Sequence, residues 1–371
     1  MSDITNENGE ISSSTDTENK APGKTQKLKR RIGIVATIAF IIFTGLFINE
    51  VIIQPYRSEQ AAKEAQELFK SGRETMISTP PEIISDPIDD NTASVPTETE
   101  KIHDPDRDSQ GRLLIFSDLL NLNPDVKGWI MIPETNIDYP VLQPGSDDPE
   151  HYLRRNINHE SDKAGCIFID YHSSVERDTQ NIVLHGHNMY STGTMFHQIP
   201  NYKDLNFYKQ KPVVNFDTIF ETGKWKIFSV FVTNGSSEHE KLFDYTRSEF
   251  SGKSDFLNFV YQLRVRSVLD IDVDINENDQ LLTLSTCSYE LKNYRTVVVA
   301  RRVRDGESPD VNVETATKNE APLYTELWYK TFGGTKPLVT SFEEALKAGE
   351  IDWYIKTSAL TNLHNSNNQS Y

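Results

Sequence analysis

Hydrophobic and polar positions divide the chain into regimes that change abruptly. Ile32–Ile48, "IGIVATIAFIIFTGLFI", holds 17 residues without a charge. As a helix that run spans about 25 Å, close to the hydrocarbon thickness of a bilayer. It predicts a membrane-spanning segment over 32–53, preceded by a polar, Ser/Thr/Asn-rich and disordered tail over 1–31. Arg57 to Met76, "RSEQAAKEAQELFKSGRETM", has helix-forming composition and is expected to form a stalk. From about Ser78 to Gly111, Pro, Asp, Thr and Glu dominate with no apolar period, so 54–110 as a whole reads as stalk and linker.

At residue 111 the pattern becomes that of a compact domain, expected to run to 304. "LLIFSDLLNLNPDVKGWIMIPETNIDYPVL" predicts a short helix and two strands around the turn "PETN". Apolar runs of strand length follow: "GCIFID" at 165–170, "NIVLHG" at 181–186, "KPVVNFD" at 211–217, "KWKIFSVFVTNG" at 224–235, "QLLTLSTC" at 280–287 and "YRTVVVARRV" at 294–303. Their spacing predicts a mostly β fold, a single antiparallel barrel or sandwich. Two helical inserts interrupt it, "GTMFHQIPNY" at 193–202 and Ser248 to Val268, where Phe256, Phe259, Val260 and Leu263 recur at helical spacing and face a core. The remaining 305–371 is acidic, contains one candidate packed helix in "SFEEALKAGEIDWYIKTSA", and has no assigned role.

Charge fixes orientation and excludes one class of partner. Lys20, Lys24, Lys27, Lys29, Arg30 and Arg31 precede the apolar run, while the residues after it mix both signs. The positive-inside rule therefore puts the N-terminus in the cytoplasm and the bulk of the chain outside a cell membrane crossed once, with lipid as its first partner. No small-x-small cleavage site follows the run, which argues against a removed signal peptide. A net charge of -17 leaves nothing to neutralise phosphates, so no nucleic acid is expected.

Cys166 and Cys287 are the two cysteines of the chain. Outside the cytoplasm they could form one disulfide. The surroundings of Cys287 point elsewhere. In "LTLSTCSYELKNYRTVVVA" the two strands are joined closely enough to form a hairpin, which brings Arg295 beside Cys287. A guanidinium there stabilises a thiolate and can donate to an oxyanion. In "NIVLHGHNMYSTGTMF", His185 and His187 would share one face of an extended strand, a geometry that also suits two metal ligands. His172, His197 and Cys287 supply no recognisable ligand spacing to complete such a site, and no metal or other cofactor is expected. The glycines of "FGGTK" follow no strand and open no helix, so a phosphate loop is not indicated. Cys166 opens an apolar strand and reads as a small buried hydrophobe.

Taken together, "TLSTC" at 283–287, Arg295 at the start of the next strand and "GHN" at 186–188 resemble the sortase signature. "GWIMIPETNIDYPVLQ", "YLRRNINHESDKAGCIFID" and "GHNMYSTGTMFHQIPNY" are similar to class B sortases, over about residues 111–304. The resemblance implies an eight-stranded sortase-type β-barrel with helical inserts and a cysteine transpeptidase on the outer face of a Gram-positive cell membrane. By that likeness Cys287 attacks a C-terminal sorting signal, commonly of NPxTx type, and forms a thioester. His187, chosen over His185 because it follows Gly186 in the family position, serves as acid and base, and Arg295 holds the oxyanion or the substrate backbone. The partners implied are surface proteins bearing sorting signals and the amine of a cell-wall precursor. Ser285 and Thr286 are candidates for hydroxyl contacts to substrate, and Tyr289 and Glu290 for lining the pocket or steadying the histidine; strand structure alone also accounts for these four. A pilin polymerase and an inactive extracellular binding domain are the alternative functions.

Overall fold

The structure is a computed structural model that describes residues 23–78, 106–177, 179–237 and 240–355. The expected tail up to residue 22, the linker over 79–105 and the Ser/Asn-rich end after 355 lie outside the described residues. The chain divides into two units, Met1–Ile53 and Gln54–Tyr371.

In the first unit, α1 (Lys24–Ile48) continues into a π-helical turn at Asn49–Ile53. Phe40, Phe43 and Leu46 are among many large apolar side chains exposed around it. A helix apolar on all sides needs an apolar surrounding, and this one is long and apolar enough to cross a membrane.

The second unit begins with α2 (Gln54–Ser78). A 3-10 turn at Leu114–Phe116 and α3 (Ser117–Leu122) lead into β1 (Val126–Met131) and β2 (Asp138–Leu142), and a long loop precedes β3 (Ile167–Ile169) and β4 (Asn181–His185). The small hairpin β5 (Asn188–Met189) and β6 (Thr194–Met195) and helix α4 (Leu205–Gln210) come before β7 (Val213–Thr218) and β8 (Lys224–Asn234). Next are α5 (Lys253–Arg264), β9 (Leu269–Asp270), β10 (Leu281–Ser288) and β11 (Tyr294–Arg302), then β12 (Thr317–Lys318), α6 (Glu326–Phe332) and α7 (Phe342–Ala348).

Eight strands close a barrel in the order β1-β2-β3-β4-β10-β11-β8-β7, with β7 pairing back to β1. The expectation of a purely antiparallel sheet is corrected at two places, because β2 pairs β3 and β4 pairs β10 in parallel. Both pairs are separated by long connections, which parallel neighbours require and hairpins do not. The alternating positions of the strands fill the interior with Ile130, Val141, Ile182, Leu184, Val230, Leu284 and Val298, all buried. Helix α5 packs on β8 with Phe256, Phe259, Val260 and Leu263, as its periodicity predicts.

The segment expected to form a stalk is a helix, and one face of it is packed on the barrel. Ala61, Ala65 and Phe69 lie one helical turn apart on one face of α2 and are buried against Phe116, Leu119, Trp129 and Phe168. The Phe69 ring stacks on Trp129 at 4.3 Å, with the planes 7° apart. The small side chains and Gly72 permit this approach; a Cβ at Gly72 would meet the Ile115 carbonyl oxygen at 2.5 Å.

The C-terminal stretch also folds on the domain, with two helices where one was expected. Its anchor is ionic: the fully buried Arg301 donates to Glu307 at 2.5 Å, and Lys226 reaches the same carboxylate at 2.6 Å. Beyond it, β12 pairs with β9.

Candidate active site

The hairpin of β10 and β11 has the predicted register, with Cys287 directly opposite Arg295. Its turn ends at Asn293, whose φ of 63° is a left-handed conformation that asparagine tolerates. Cys287 is a free thiol and half-exposed at the end of its strand. Cys166 is also free but buried beneath α2, where burial pushes its thiol pKa far up, so the disulfide reading is excluded.

On the other side of β10 lies β4, with Ser285 opposite His185. The chain beyond His185 is stitched to the cysteine strand: the Gly186 amide donates to the Ser285 carbonyl at 3.2 Å, and Thr286 Oγ1 donates to the Gly186 carbonyl at 2.7 Å. Gly186 is needed because a Cβ there would sit 2.7 Å from the Phe196 ring. His187 follows at the rim, and its Nε2 donates to the Leu153 carbonyl at 2.8 Å, leaving Nδ1 as the other nitrogen. Burial lowers the His187 pKa below its ordinary value, and the charges of Arg154 and Arg295 act in the same sense; the Leu153 carbonyl only partly offsets them.

Arg295 lies across Gly235, where a Cβ would come within 3.1 Å of the arginine stem. Its Nη1 donates to the Tyr294 carbonyl at 3.2 Å, and no carboxylate among the described residues pairs with it. The rim of the barrel therefore carries, in strand order, an imidazole, a thiol and an uncommitted guanidinium.

The other expected residues fall in different places. Ser285 is buried with its hydroxyl 3.0 Å from that of Tyr245, and Thr286 is buried on Gly186. Glu290 binds Lys203 and Ser288 rather than a histidine; burial pushes its carboxyl up, but those hydrogen bonds outweigh it and hold the pKa below the usual range. Tyr289 is 67% exposed and donates through its hydroxyl to the Asn188 carbonyl at 3.0 Å. The two histidines have different partners: His185 Nε2 binds Asp170 at 2.9 Å, whereas His187 binds the Leu153 carbonyl. No group of His, Cys, Asp or Glu suited to a metal is found among the described residues.

Three contacts have no counterpart in the sequence expectations. Asn188 Nδ2 donates to the backbone carbonyl of Cys287 at 3.0 Å, and its Oδ1 accepts from His197 Nδ1 at 2.8 Å. Leu153, in the loop before β3, supplies the acceptor that orients His187. Asn188 stands in the "GHN" motif, which marks its position but not its partner.

Comparison with known proteins agrees with this geometry. The description "Sortase domain" matches residues 130–303. Sortase B of Listeria monocytogenes is 35% identical over 177 residues, which cover 48% of this chain and 68% of that protein. Sortase B of Staphylococcus aureus is 29% identical over 191 residues, covering 51% and 75%. Sortase B from B. anthracis, in complex with AAEK1, superposes with a TM-score of 0.53 at 27% identity, covering 68% of this chain and all of the other. The chain belongs to the sortase family, whose members are transpeptidases, and its relatives place it with class B.

Proposed function

We propose that the chain is a membrane-anchored cysteine transpeptidase in which Cys287, His187 and Arg295 carry the reaction. The observation that carries this reading is the register Cys287 opposite Arg295, with the His187 segment hydrogen-bonded to the other flank of the same strand. The Cys287 thiol gives its proton to His187 and its sulfur attacks the threonine carbonyl of an NPxTx-like sorting signal. Negative charge gathers on the carbonyl oxygen, and Arg295, with no carboxylate of its own, donates to it. The carbon–nitrogen bond breaks, the leaving amine takes a proton from His187, and a thioester remains. An amine of a cell-wall precursor then attacks the thioester, gives a proton to His187, and releases the thiolate. The acyl energy of the original amide is kept throughout, so the cycle runs without a cofactor.

The lowered pKa of His187 fits this shuttle, because it favours a neutral imidazole that can take the thiol proton, and the imidazolium so formed gives that proton up readily to the departing amine. The anchored reading is supported by α1 and by the basic residues before it, a charge pattern that favours an N-terminus in the cytoplasm and the rest of the chain outside. Full-length chain in detergent, given an NPxTx peptide and a short amine acceptor such as triglycine, is expected to make the joined peptide. Absence of both joined and hydrolysed product across NPxTx peptides would refute the reading.

A further inference from the structure

Beyond β8 the surface opens into a cleft of about 460 Å³. The end of β8 at Val232–Asn234 forms one wall, α5 and the following Arg266 a second, and the C-terminal stretch Leu323–Glu326 the third. The third wall is fixed by specific contacts. The Leu323 amide donates to the Val265 carbonyl at 2.7 Å, Tyr294 and Thr325 share a hydroxyl hydrogen bond, and Glu240 accepts from the Glu326 and Leu327 amides at 2.9 and 3.3 Å. The family match ends at residue 303, so this wall lies outside it.

Charge within the cleft is unevenly committed. Of its carboxylates, Glu240 binds the start of α6, Asp244 accepts from Thr246 at 2.7 Å, and Glu326 is paired with Lys336. Among the described residues Arg266 has no such partner. It donates through Nη1 alone, to the carbonyl and Oε1 of Gln262 at 2.8 and 2.7 Å, and its guanidinium lies 4.0 Å from the centre of the Phe243 ring. Burial without a counter-charge brings its pKa down to about 10, so it stays cationic at neutral pH. A guanidinium with donors to spare, set against an aromatic wall, is matched to a carboxylate.

Position says which carboxylate. Thr233 is opposite Arg295, and Arg295 is opposite Cys287, so the mouth of the cleft is two strand spacings, roughly 10 Å, from the sulfur. His187 is on the opposite flank of Cys287, and there the amine departs. The acyl segment that remains must therefore run across Arg295 toward the cleft. At about 3.3 Å per extended residue, the four motif residues Asn-Pro-x-Thr span about 13 Å and reach past the mouth, so the residue that enters the cleft is the one just before the Asn, about five before the scissile bond.

We propose that this cleft is a subsite for an acidic side chain of the protein being joined, at the residue just before the Asn of the NPxTx motif, with Arg266 as its counter-charge. The proposal rests on the mechanistic reading of Cys287 above. Its test is calorimetric binding of NPxTx peptides to the full-length Cys287→Ala chain in detergent, with Glu or Gln at the residue just before the Asn. Glu there is expected to bind about five- to tenfold tighter than Gln. Arg266→Met should bring that ratio to about one, and Arg266→Lys should retain part of it. Equal or undetectable binding of the Glu and Gln peptides, a preference only downstream of the bond, or a ratio unchanged in Arg266→Met would overturn it. Binding here needs no acylation, so a lost preference with peptide joining intact removes the subsite alone, whereas absent joining removes the mechanism.

Discussion

The carboxamide of Asn188 donates to the backbone carbonyl of Cys287 at 3.0 Å, and His197 fixes which end of that carboxamide faces the cysteine. Asn188 thus ties the histidine segment to the nucleophile's own peptide unit. An aspartate at this position can still accept from His197 but cannot donate to Cys287. Asn188→Asp is expected to lower kcat about tenfold, the value of one partly buried hydrogen bond, with KM nearly unchanged. Steady-state kinetics with one NPxTx peptide checks it, and a change confined to KM would contradict the positioning role.

His187 is expected to titrate below the ordinary histidine value of 6.5, since burial and two arginines disfavour its cation. Arg295→Met removes one of those charges and should move the midpoint upward. Proton NMR of the imidazole signals, assigned with His187→Gln, measures both. A midpoint at or above 6.5 in the unmodified chain would contradict this electrostatic account.

Phe69 stacks on Trp129, so α2 is part of the domain's core and not a passive spacer. Phe69→Ala is expected to cost about 3 kcal/mol of stability, in the range for truncating a buried aromatic. Urea unfolding of the full chain in detergent checks this. A loss below about 0.5 kcal/mol would mean the helix does not hold its docked position.

Glu307 anchors the C-terminal stretch through Arg301 and Lys226. Burial alone would raise its pKa, but the hydrogen bonds from Arg301 and Lys226 prevail and hold it at about 2, against 4.5 when free. Its ionised form is therefore favoured in the folded state, and the stability it supplies is complete above about pH 4.5 and lost as pH falls toward 2. Glu307→Gln should cost about 3 kcal/mol at pH 7, because the buried Arg301 loses the nearer of its two carboxylates and keeps only Asp274 at 3.4 Å. The gap between variant and parent should close over the acid window.

The hairpin of β10 and β11 was legible because apolar alternation, a short connection and a two-strand period together fix which residues oppose each other. That is why Arg295 could be set beside Cys287 from sequence. The parallel pairing of β4 with β10 was not legible, since its partners are brought together by the closure of the barrel. Docking of α2 escaped notice for a different reason: its buried face is Ala61, Ala65 and Phe69, and two alanines carry little hydrophobic signal. The roles of Leu153 and Cys287 as acceptors for His187 and Asn188 pass through backbone carbonyls, which every residue has. Ser285 and Thr286 were candidates for hydroxyl contacts to substrate, with strand structure as the alternative; in the fold the Ser285 hydroxyl meets that of Tyr245 from the loop after β8, and the Thr286 hydroxyl binds the Gly186 carbonyl.

The central claim is that the Cys287 sulfur forms a covalent acyl bond. Intact-mass analysis of the full chain after brief incubation with an NPxTx peptide, followed by proteolytic mapping, tests it most directly. The account predicts a mass gain equal to the peptide up to its threonine, located on Cys287, absent in Cys287→Ala and discharged by an added amine. An adduct on Cys166, or peptide cleavage that survives in Cys287→Ala, would contradict it.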